Sequence, residues 1–270
     1  TIKNSFHGRT IATLKATAQE DKHKYFAPYP DGFVYANDIN EAISMIDDTT
    51  VGVMLELIQG EGGIFMQDIF QVQRLERILK EKKLLLIIDE VQTGVYRSGN
   101  FLISQYFGIK PDIVTLAKGL ASGIPIGVMM TSLKDIFTFG DHGSTFGGNH
   151  LSTTVCKAVL KILEKYSNSG KLSENIKYFN SCLQYFTDKY PNIFLQKNGW
   201  GFMQGLVLKN ENDLSNIVNL ALKNGVLVLK SGKNIIRFLP PIVISKKEIK
   251  EGFKRFEEII INYHKIQDKK

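Results

Sequence analysis

The sequence predicts an α/β fold with a mostly parallel sheet, because short apolar runs alternate with amphipathic helical segments through residues 1–150. Residues 84–88 form a nearly continuous apolar run, which is typical of a strand buried on both faces. Residues 70–83 repeat apolar side chains at three-to-four spacing, as an amphipathic helix does. In chain order, the remaining predictions are a helix at 40–47, a strand at 51–58, a short helix at 101–107, and strands at 112–116 and 125–130.

The composition changes after a long predicted helix at 151–166, and the polar stretch 167–170 ends that helix. Beyond it, helices are predicted at 171–190 and 213–224, with strands at 193–208 (bent at the glycine-rich 199–205), 226–229 and 235–239. Gly225 is typical of a helix C-cap, and Ser245 predicts the N-cap of a last helix that ends near residue 264. We therefore predict a large domain at 1–168 and a smaller C-terminal α/β domain at 169–270.

Composition excludes several classes of protein. The formal net charge is +7, but the lysines are dispersed in pairs such as Lys82–Lys83 and Lys269–Lys270, and no nucleic-acid-binding module is visible. The apolar runs are too short to span a bilayer, and no leader is recognised. Cys156 and Cys182 have no paired spacing, so we expect reduced thiols in a cytoplasmic protein, with neither a disulfide nor a metal site.

Three ionisable residues fall at the predicted edge of the sheet. Asp89 and Glu90 follow the apolar run directly, and Lys118 follows the next strand. The carboxyl ends of parallel strands meet at one edge, where ligands bind in such sheets. Small and apolar residues flank Lys118, which predicts a buried stem and an amine suited to form a Schiff base. A strand-end aspartate can equally be a helix cap, and a loop lysine can be a solvated charge.

A carboxylate and a lysine at one sheet edge have a definite use with pyridoxal 5'-phosphate. The carboxylate keeps the pyridine nitrogen protonated, and the amine binds the aldehyde and later moves the substrate proton. Spacing alone leaves this use and a structural role both open.

The strings LLLIIDEVQTGVYRSG and PDIVTLAKGLASGIPIG resemble the centre of the class III (ornithine-type) aminotransferases. NSFHGRT, ELIQGEGG, HGSTFGGN and IIRFLPPIVI follow the same family's pattern, in its order, over nearly all 270 residues. The resemblance implies a pyridoxal-phosphate-dependent transferase large domain of fold type I. Within the class, the motifs are most similar to the branch that acts on acetylornithine.

The resemblance implies the following roles at matching positions. Lys118 forms the Schiff base with pyridoxal phosphate and Asp89 pairs with its ring nitrogen, so both are catalytic. The expected cofactor-binding set, which includes a phosphate contact from Thr145 across a dimer interface, is Phe6, Asp89, Glu90, Val91, Gln92, Lys118 and Thr145. The expected substrate-binding set is Arg9, Ser144, Arg237 and Glu61, with Arg237 taking a carboxylate as a bidentate pair. Without the motifs, Phe6 and Val91 read as core residues, and the hydroxyls and Arg9 as surface groups.

The implied reaction is amino-group transfer between N2-acetylornithine and 2-oxoglutarate or glutamate, in arginine biosynthesis, by a cytoplasmic homodimer that binds neither nucleic acid nor membrane. Ornithine, succinylornithine or 4-aminobutyrate aminotransferases are alternatives within the class. An inactive cofactor-binding fragment and a basic nucleic-acid-binding protein are alternatives outside it.

Some positions depart from the family's pattern. Tyr96 stands where a glycine is usual, His150 replaces a proline after GGN, and Leu57 replaces a proline after Glu56. We expect Tyr96 to narrow the substrate entrance. Because the chain begins at Thr1, we also expect the N-terminal part of the family's chain, with its phosphate-binding loop, to lie outside this sequence.

Overall fold

The structure, a computed structural model, describes residues 1–267 and their side chains as far as Tyr263; the Lys269–Lys270 pair lies outside the described residues. The chain divides into two compact units, Thr1–Gln59 with Gln67–Lys165, and Gly60–Met66 with Tyr166 onwards. Residues 60–66, which the sequence did not distinguish from the first domain, therefore belong with the second unit. The assignment of 1–168 as the cofactor-binding domain and 169–270 as the small domain stays a prediction.

Helices and strands alternate through the first unit, as predicted. The helices are α1 Ile11–Ala16, α2 Glu20–His23, α3 Ile39–Ser44, α4 Ile69–Glu81, α5 Ile103–Phe107, α6 His150–Asn168, α7 Lys171–Lys189, α8 Asp213–Lys223 and α9 Lys246–Gln267, with a 3-10 turn at Lys118–Ala121. The strands are β1 Gly52–Leu55, β2 Ile58–Gln59, β3 Phe65–Met66, β4 Leu85–Asp89, β5 Ile113–Leu116, β6 Val128–Thr131, β7 Phe194–Trp200, β8 Met203–Leu208, β9 Leu229–Ser231 and β10 Ile235–Phe238. Through residue 267, none of these helices has the length and apolar character needed to cross a bilayer.

The sheet of the first unit has the strand order β1-β4-β5-β6. Strands β1, β4 and β5 are parallel and β6 is antiparallel, which confirms the prediction of a mostly parallel sheet. Helix α4 packs beside β4 and buries the apolar face that its periodicity predicted, Val72, Leu75 and Leu79. The carboxylate of Asp68 accepts a hydrogen bond from the Gln71 N–H (2.9 Å) and caps this helix. Because β4 and β5 pair in parallel, with Asp89 opposite Thr115, their carboxyl ends lie side by side at the same edge of the sheet.

The second unit contains an antiparallel sheet in the order β7-β8-β10-β9. Its core is aromatic and is formed largely by phenylalanines of helices α7 and α9. Ring centroids lie 5.2–5.8 Å apart in the pairs Phe179–Phe202, Phe179–Phe253, Phe186–Phe253 and Phe186–Phe256. The predicted cap of α9 is confirmed, because Ser245 Oγ accepts the Glu248 N–H (3.2 Å) while Glu248 accepts the Ser245 N–H (2.8 Å).

Several predicted strands differ from the observed ones: the strand at 125–130 begins only at Val128, and the bent strand at 193–208 is two strands, β7 and β8. Hydrogen bonds account for two further differences. The run 51–58 is divided, since β1 ends at Leu55 and the buried Glu56 that follows accepts the Phe6 N–H (2.8 Å) at its carboxylate. The strand expected at 226–229 begins only at Leu229, because the Val226 N–H still bonds the Ala221 carbonyl (2.9 Å) in the helix cap. Hydrogen bonds, one long-range and one local, therefore displaced strand boundaries that the apolar pattern had placed.

We predict that Gly199→Ala lowers the free energy of unfolding by roughly 2–4 kcal/mol, because it combines a strained backbone with overpacking. Gly199 has φ +90°, and an added Cβ would lie 2.2 Å from the Met203 carbonyl oxygen and 2.3 Å from Ile64. The matched control is Gly252→Ala in α9, where no atom lies within 4 Å of the added Cβ. This control should raise the free energy of unfolding by about 0.5–1 kcal/mol, because alanine favours the helix. Urea denaturation followed by circular dichroism measures both, and equal midpoints for the two variants would contradict the prediction.

Candidate active site

Asp89 is the last residue of β4 and is only 5% exposed. One carboxylate oxygen, Oδ1, accepts hydrogen bonds from the Val91 N–H (3.0 Å) and the Thr115 hydroxyl (3.1 Å). The other, Oδ2, lies 2.9 Å from Nδ1 of His7. A buried carboxylate is stable in its charged form only when donors surround it, and these three contacts provide them. Asp89 is thus a fixed negative charge at the carboxyl edge of the sheet.

Lys118 lies just beyond the neighbouring strand. Thr115 of β5 is the register partner of Asp89, and Lys118 opens the 3-10 turn that follows β5. The expectation that the acid and the lysine follow adjacent parallel strands is therefore confirmed for the strands. Lys118 has φ +46°, in the left-handed region that only a minority of non-glycine residues adopt, and such backbone is concentrated at functional edges.

The expected burial of the Lys118 stem is wrong for this structure, in which Lys118 is exposed. Its apolar neighbours Leu116, Leu120 and Ala121 are the residues that are buried there, at 2%, 2% and 0% exposure. Flanking apolar residues fill the interior themselves, so they do not bury the polar residue between them.

Sequence reasoning missed His7. Its side chain is 0% exposed and contacts Asp89, so it brings the FHGR segment against the DEVQ segment. Membership of the FHGR string was the only signal that could have found it, because a lone histidine has no periodicity or spacing of its own.

Phe6 and Arg9 flank this histidine. The Phe6 ring is half-buried, and its N–H is held by the Glu56 carboxylate (2.8 Å). The exposed guanidinium of Arg9 lies over that ring, with Cζ 5.4 Å from the ring centroid. The geometry suits a cation–π contact and leaves N–H donors of Arg9 accessible to an anion.

Val91 and Gln92 follow Asp89 and are both half-buried. Nε2 of Gln92 is a buried donor that has no hydrogen-bond partner among the described residues. An unsatisfied buried donor is costly, so it is a natural contact for a bound polar group.

Glu90 differs from Asp89 although it follows it directly. It is 1% exposed, and its Oε1 accepts the Ser104 N–H (2.8 Å) and hydroxyl (2.7 Å). Its Oε2 accepts the Ile103 N–H (3.0 Å) and the Thr93 hydroxyl (2.9 Å). These four donors, from the start of α5 and the preceding loop, occupy the carboxylate. The structure gives Glu90 a structural role, and we do not carry it into the proposed cofactor site.

Ser144 and Thr145 lie on the segment between β6 and α6, which is exposed throughout residues 134–149. The Ser144 hydroxyl accepts the Gly147 N–H (2.9 Å) and so closes a turn. Both predicted hydroxyls are therefore surface groups of this chain.

Glu61 and Arg237 form an ion pair within the second unit. Nη1 of Arg237 donates to Glu61 Oε1 (2.8 Å) and to the Gly60 carbonyl (2.9 Å). The Arg237 side chain is 9% exposed, whereas that of Glu61 is 38% exposed. Nε of Arg237 is buried and, within the described part of the chain, has no partner. The predicted pairing of these two residues is present in the structure.

The backbone at Tyr96 explains why a glycine is usual at this position, and it makes the tyrosine a strained substitute. Tyr96 has φ +66° and the preceding Val95 has φ +54°, both in the left-handed region that glycine adopts without strain. The Tyr96 ring packs against Phe101, with centroids 5.8 Å apart. Burial, and then the charge of Glu164, raise the pKa of the Tyr96 hydroxyl above its usual value. The expectation that Tyr96 narrows the substrate entrance stays a prediction.

The model of the family described as class III aminotransferase matches residues 1–260 of this chain. The chain belongs to that family. It is 51% identical over 260 residues to the acetylornithine aminotransferase of Wolinella succinogenes and 40% identical over 266 residues to that of Caldanaerobacter subterraneus subsp. tengcongensis. Each match covers 96% of this chain and 66% of the relative, so the chain spans slightly less than two thirds of their length.

Solved structures agree with this membership. The ornithine aminotransferase of Toxoplasma gondii ME49 is similar with a TM-score of 0.91 and 28% identity, over 98% of this chain and 64% of its own. The N-acetylornithine aminotransferase of Stenotrophomonas maltophilia K279a is similar with a TM-score of 0.79 and 27% identity, over 98% of this chain and 66% of its own. The fold of the pyridoxal-phosphate-dependent class III aminotransferases is therefore the fold of this chain.

The contacts of Glu90 predict that Glu90→Gln lowers the free energy of unfolding by roughly 2–4 kcal/mol, because the new amide would present N–H groups to buried donors. Glu258→Gln, at an exposed position of α9, is the control and should change it by less than about 0.5 kcal/mol. Urea denaturation measures both variants. Unchanged stability together with a loss of pyridoxal phosphate affinity would return Glu90 to the cofactor site.

Proposed function

We propose that this protein is a pyridoxal-phosphate-dependent aminotransferase that moves an amino group between N2-acetylornithine and 2-oxoglutarate or glutamate. One observation carries the proposal: in a member of the class III family, a buried Asp89 with three donors ends the strand beside the one that leads to Lys118. A fixed carboxylate and a lysine at one sheet edge are the two groups that amino-group transfer with this cofactor needs.

The residues present fit pyridoxal phosphate. Oδ2 of Asp89 accepts one hydrogen bond, from His7, and can accept a second from a protonated ring nitrogen. The unpartnered Nε2 of Gln92 is a donor suited to the ring hydroxyl. Phe6 and Val91 are half-buried apolar side chains suited to the two ring faces. We propose that these residues, with Lys118, hold the cofactor ring.

Pyridoxal phosphate, when bound, supplies an aromatic ring that accepts the electron pair left behind when a substrate C–H bond breaks. Asp89 holds the proton on the ring nitrogen, because its charge disfavours loss of that proton. Lys118 would hold the cofactor through its aldehyde carbon. Once the substrate amine has displaced it, the amine of Lys118 would take the proton from the substrate carbon and deliver it to that former aldehyde carbon. Lys118 is an exposed residue of this chain.

We propose that the two arginines bind the carboxylates of the two substrates. Arg9 presents exposed N–H donors above Phe6, which suits the carboxylate of acetylornithine. We propose Ser144 as a further polar contact of that substrate. Arg237 retains an unpartnered Nε, and its partner Glu61 is exposed enough to move away. Arg237 can then take the second carboxylate of glutamate or 2-oxoglutarate as a bidentate pair.

The choice of acetylornithine rests on relatives. Relatives that are 51% and 40% identical are acetylornithine aminotransferases, and they support a role in arginine biosynthesis. The solved ornithine aminotransferase has a high TM-score but only 28% identity, so it makes ornithine the second candidate substrate. A panel of acetylornithine, ornithine, succinylornithine and 4-aminobutyrate separates the possibilities.

We also propose a homodimer in which Thr145 of one subunit contacts the cofactor phosphate held by the other. Supporting this, the segment that carries Thr145 exposes large apolar side chains, with Phe137 at 53%, Phe139 at 108% and Phe146 at 79%. Clustered exposed aromatic residues are typical of a surface that another chain covers.

Cys156 and Cys182 are both free cysteines, which supports a cytoplasmic location.

The central prediction concerns Lys118. Borohydride reduction of the protein with pyridoxal phosphate should leave a covalent adduct on Lys118, located by peptide mass mapping, because a reduced Schiff base cannot dissociate. Lys118→Ala should lose the adduct and lower the rate of amino-group transfer by at least about a thousandfold. Lys82→Ala, at an exposed position after α4, is the control and should retain both. An adduct at another lysine would overturn the assignment, and no adduct in the wild type would favour an inactive fragment.

A further prediction concerns Glu61. Glu61→Ala frees the Arg237 guanidinium from its partner, so it should favour the half-reaction with the dicarboxylate over the half-reaction with acetylornithine. We expect the ratio of the two kcat/KM values to change about tenfold, as loss of one charge-assisted hydrogen bond of Arg237 implies. Single-turnover kinetics of each half-reaction measure the ratio, and Glu61→Asp is the control that keeps the charge. Equal slowing of both half-reactions would show that Glu61 is not a switch.

A further inference from the structure

We propose that His7 is a positioning residue for Asp89: as a neutral donor through Nδ1 it fixes the direction of the one lone pair that Asp89 has left for the ring nitrogen. The inference rests on the proposed function, since it concerns the carboxylate that would pair with pyridoxal phosphate. It assigns His7 no direct contact with the cofactor or the substrate.

The partners of Asp89 define what His7 contributes. Oδ1 already accepts two hydrogen bonds, from Val91 N–H and the Thr115 hydroxyl, and these use both of its lone pairs. Oδ2 accepts one hydrogen bond, from His7, and keeps one lone pair. The contact with His7 therefore determines which lone pair of Asp89 remains available, and where it points.

The chemistry of the pair selects one tautomer of His7. An ionised carboxylate only accepts hydrogen bonds, so the hydrogen lies on Nδ1, 2.9 Å from Oδ2. Nε2 is buried and has no partner in the part of the chain that the structure describes. Left as a lone pair, Nε2 is an unsatisfied acceptor, which buried sites tolerate better than an unsatisfied N–H. The donor is therefore Nδ1 of the neutral ring.

The backbone holds His7 in place independently of Asp89. The His7 N–H donates to the hydroxyl of Thr17 (2.9 Å), a residue with 0% exposure. On one side, the Phe6 N–H is held by Glu56 (2.8 Å). On the other, Gly8 has φ +136°, and a Cβ there would lie 2.6 Å from the Thr13 hydroxyl oxygen. These contacts fix the backbone from which the His7 ring extends, so the ring approaches Asp89 from a constrained starting point.

A proton-carrying role for His7 is a poor alternative. The side chain has 0% exposure, so within this chain it has no surface from which to reach solvent or substrate. Simple packing is the remaining alternative, and it differs from positioning in one respect: packing depends on volume, whereas positioning depends on a donor at the Nδ1 position.

Two amide variants separate these alternatives. His7→Asn places its amide nitrogen the same number of bonds from Cβ as Nδ1, whereas His7→Gln places its amide nitrogen at the distance of Nε2. The equilibrium dissociation constant for pyridoxal phosphate, from fluorescence titration, and the absorption spectrum of the bound cofactor are measured for both, with kcat and KM for each substrate. His7→Leu removes the donor at similar volume and serves as a third comparison.

We expect His7→Asn to stay within about threefold of the wild type, and His7→Gln and His7→Leu to bind pyridoxal phosphate on the order of tenfold more weakly, as loss of a charge-assisted hydrogen bond implies. In those two variants kcat should fall while KM for the substrates changes little. Equal impairment of Asn and Gln, or affinities all within twofold of the wild type, would overturn the inference. If His7→Leu does not fold, the Asn and Gln pair decides alone.

The same experiment distinguishes this inference from the proposed function. A wild-type protein that binds pyridoxal phosphate and forms the Lys118 adduct, with Asn and Gln variants that do not differ, refutes only the role of His7. A wild-type protein that binds no pyridoxal phosphate refutes both.

Discussion

The hydrogen bonding of one buried carboxylate is the constraint on which the candidate site depends. Asp89 lies at the end of β4 with 5% exposure, where an ionised group without donors would be unstable by several kilocalories per mole. Each of its three donors comes from a different segment: the loop after β4, the neighbouring strand β5, and the segment near the start of the chain. Satisfying this carboxylate therefore holds together the parts of the first unit that form its edge.

Two consecutive carboxylates at the end of a strand can have different roles, one structural and one functional, as Glu90 and Asp89 illustrate. Side chains alternate across a strand, so the two carboxylates leave β4 in different directions. Glu90 meets the N–H groups at the start of α5, which a helix cannot satisfy internally, and the hydroxyls of Ser104 and Thr93 use its remaining hydrogen-bonding capacity. Among the described residues, Asp89 meets only three donors and keeps one lone pair. The number of donors, more than burial or charge, separates the structural carboxylate from the functional one.

The sequence allowed the elements to be predicted where burial follows a period. The amphipathic α4, the buried β4 and the cap of α9 at Ser245 lie within two residues of their predicted positions, because apolar spacing and capping chemistry are local. Features that depend on distant residues could not be predicted in this way. The contact of His7 with Asp89 joins residues 82 positions apart, and residues 60–66 belong to a unit whose other members begin at Tyr166. The exposure of Lys118 depends on which of its neighbours fill the core.

Two acid–base pairs of this chain differ in how firmly they are held. The His7 and Asp89 side chains are 0% and 6% exposed, so separating them would leave a buried carboxylate short of a donor. The Arg237 side chain is 9% exposed but its partner Glu61 is 38% exposed, so Glu61 can be solvated when it leaves. The free energy of separating a pair depends on where each partner goes afterwards. When the acid of a pair can be solvated after it leaves, as Glu61 can, the base can exchange it for a substrate carboxylate, so we assign substrate binding to Arg237. When both partners are buried, as His7 and Asp89 are, the pair acts as a fixed support, so we assign positioning to His7.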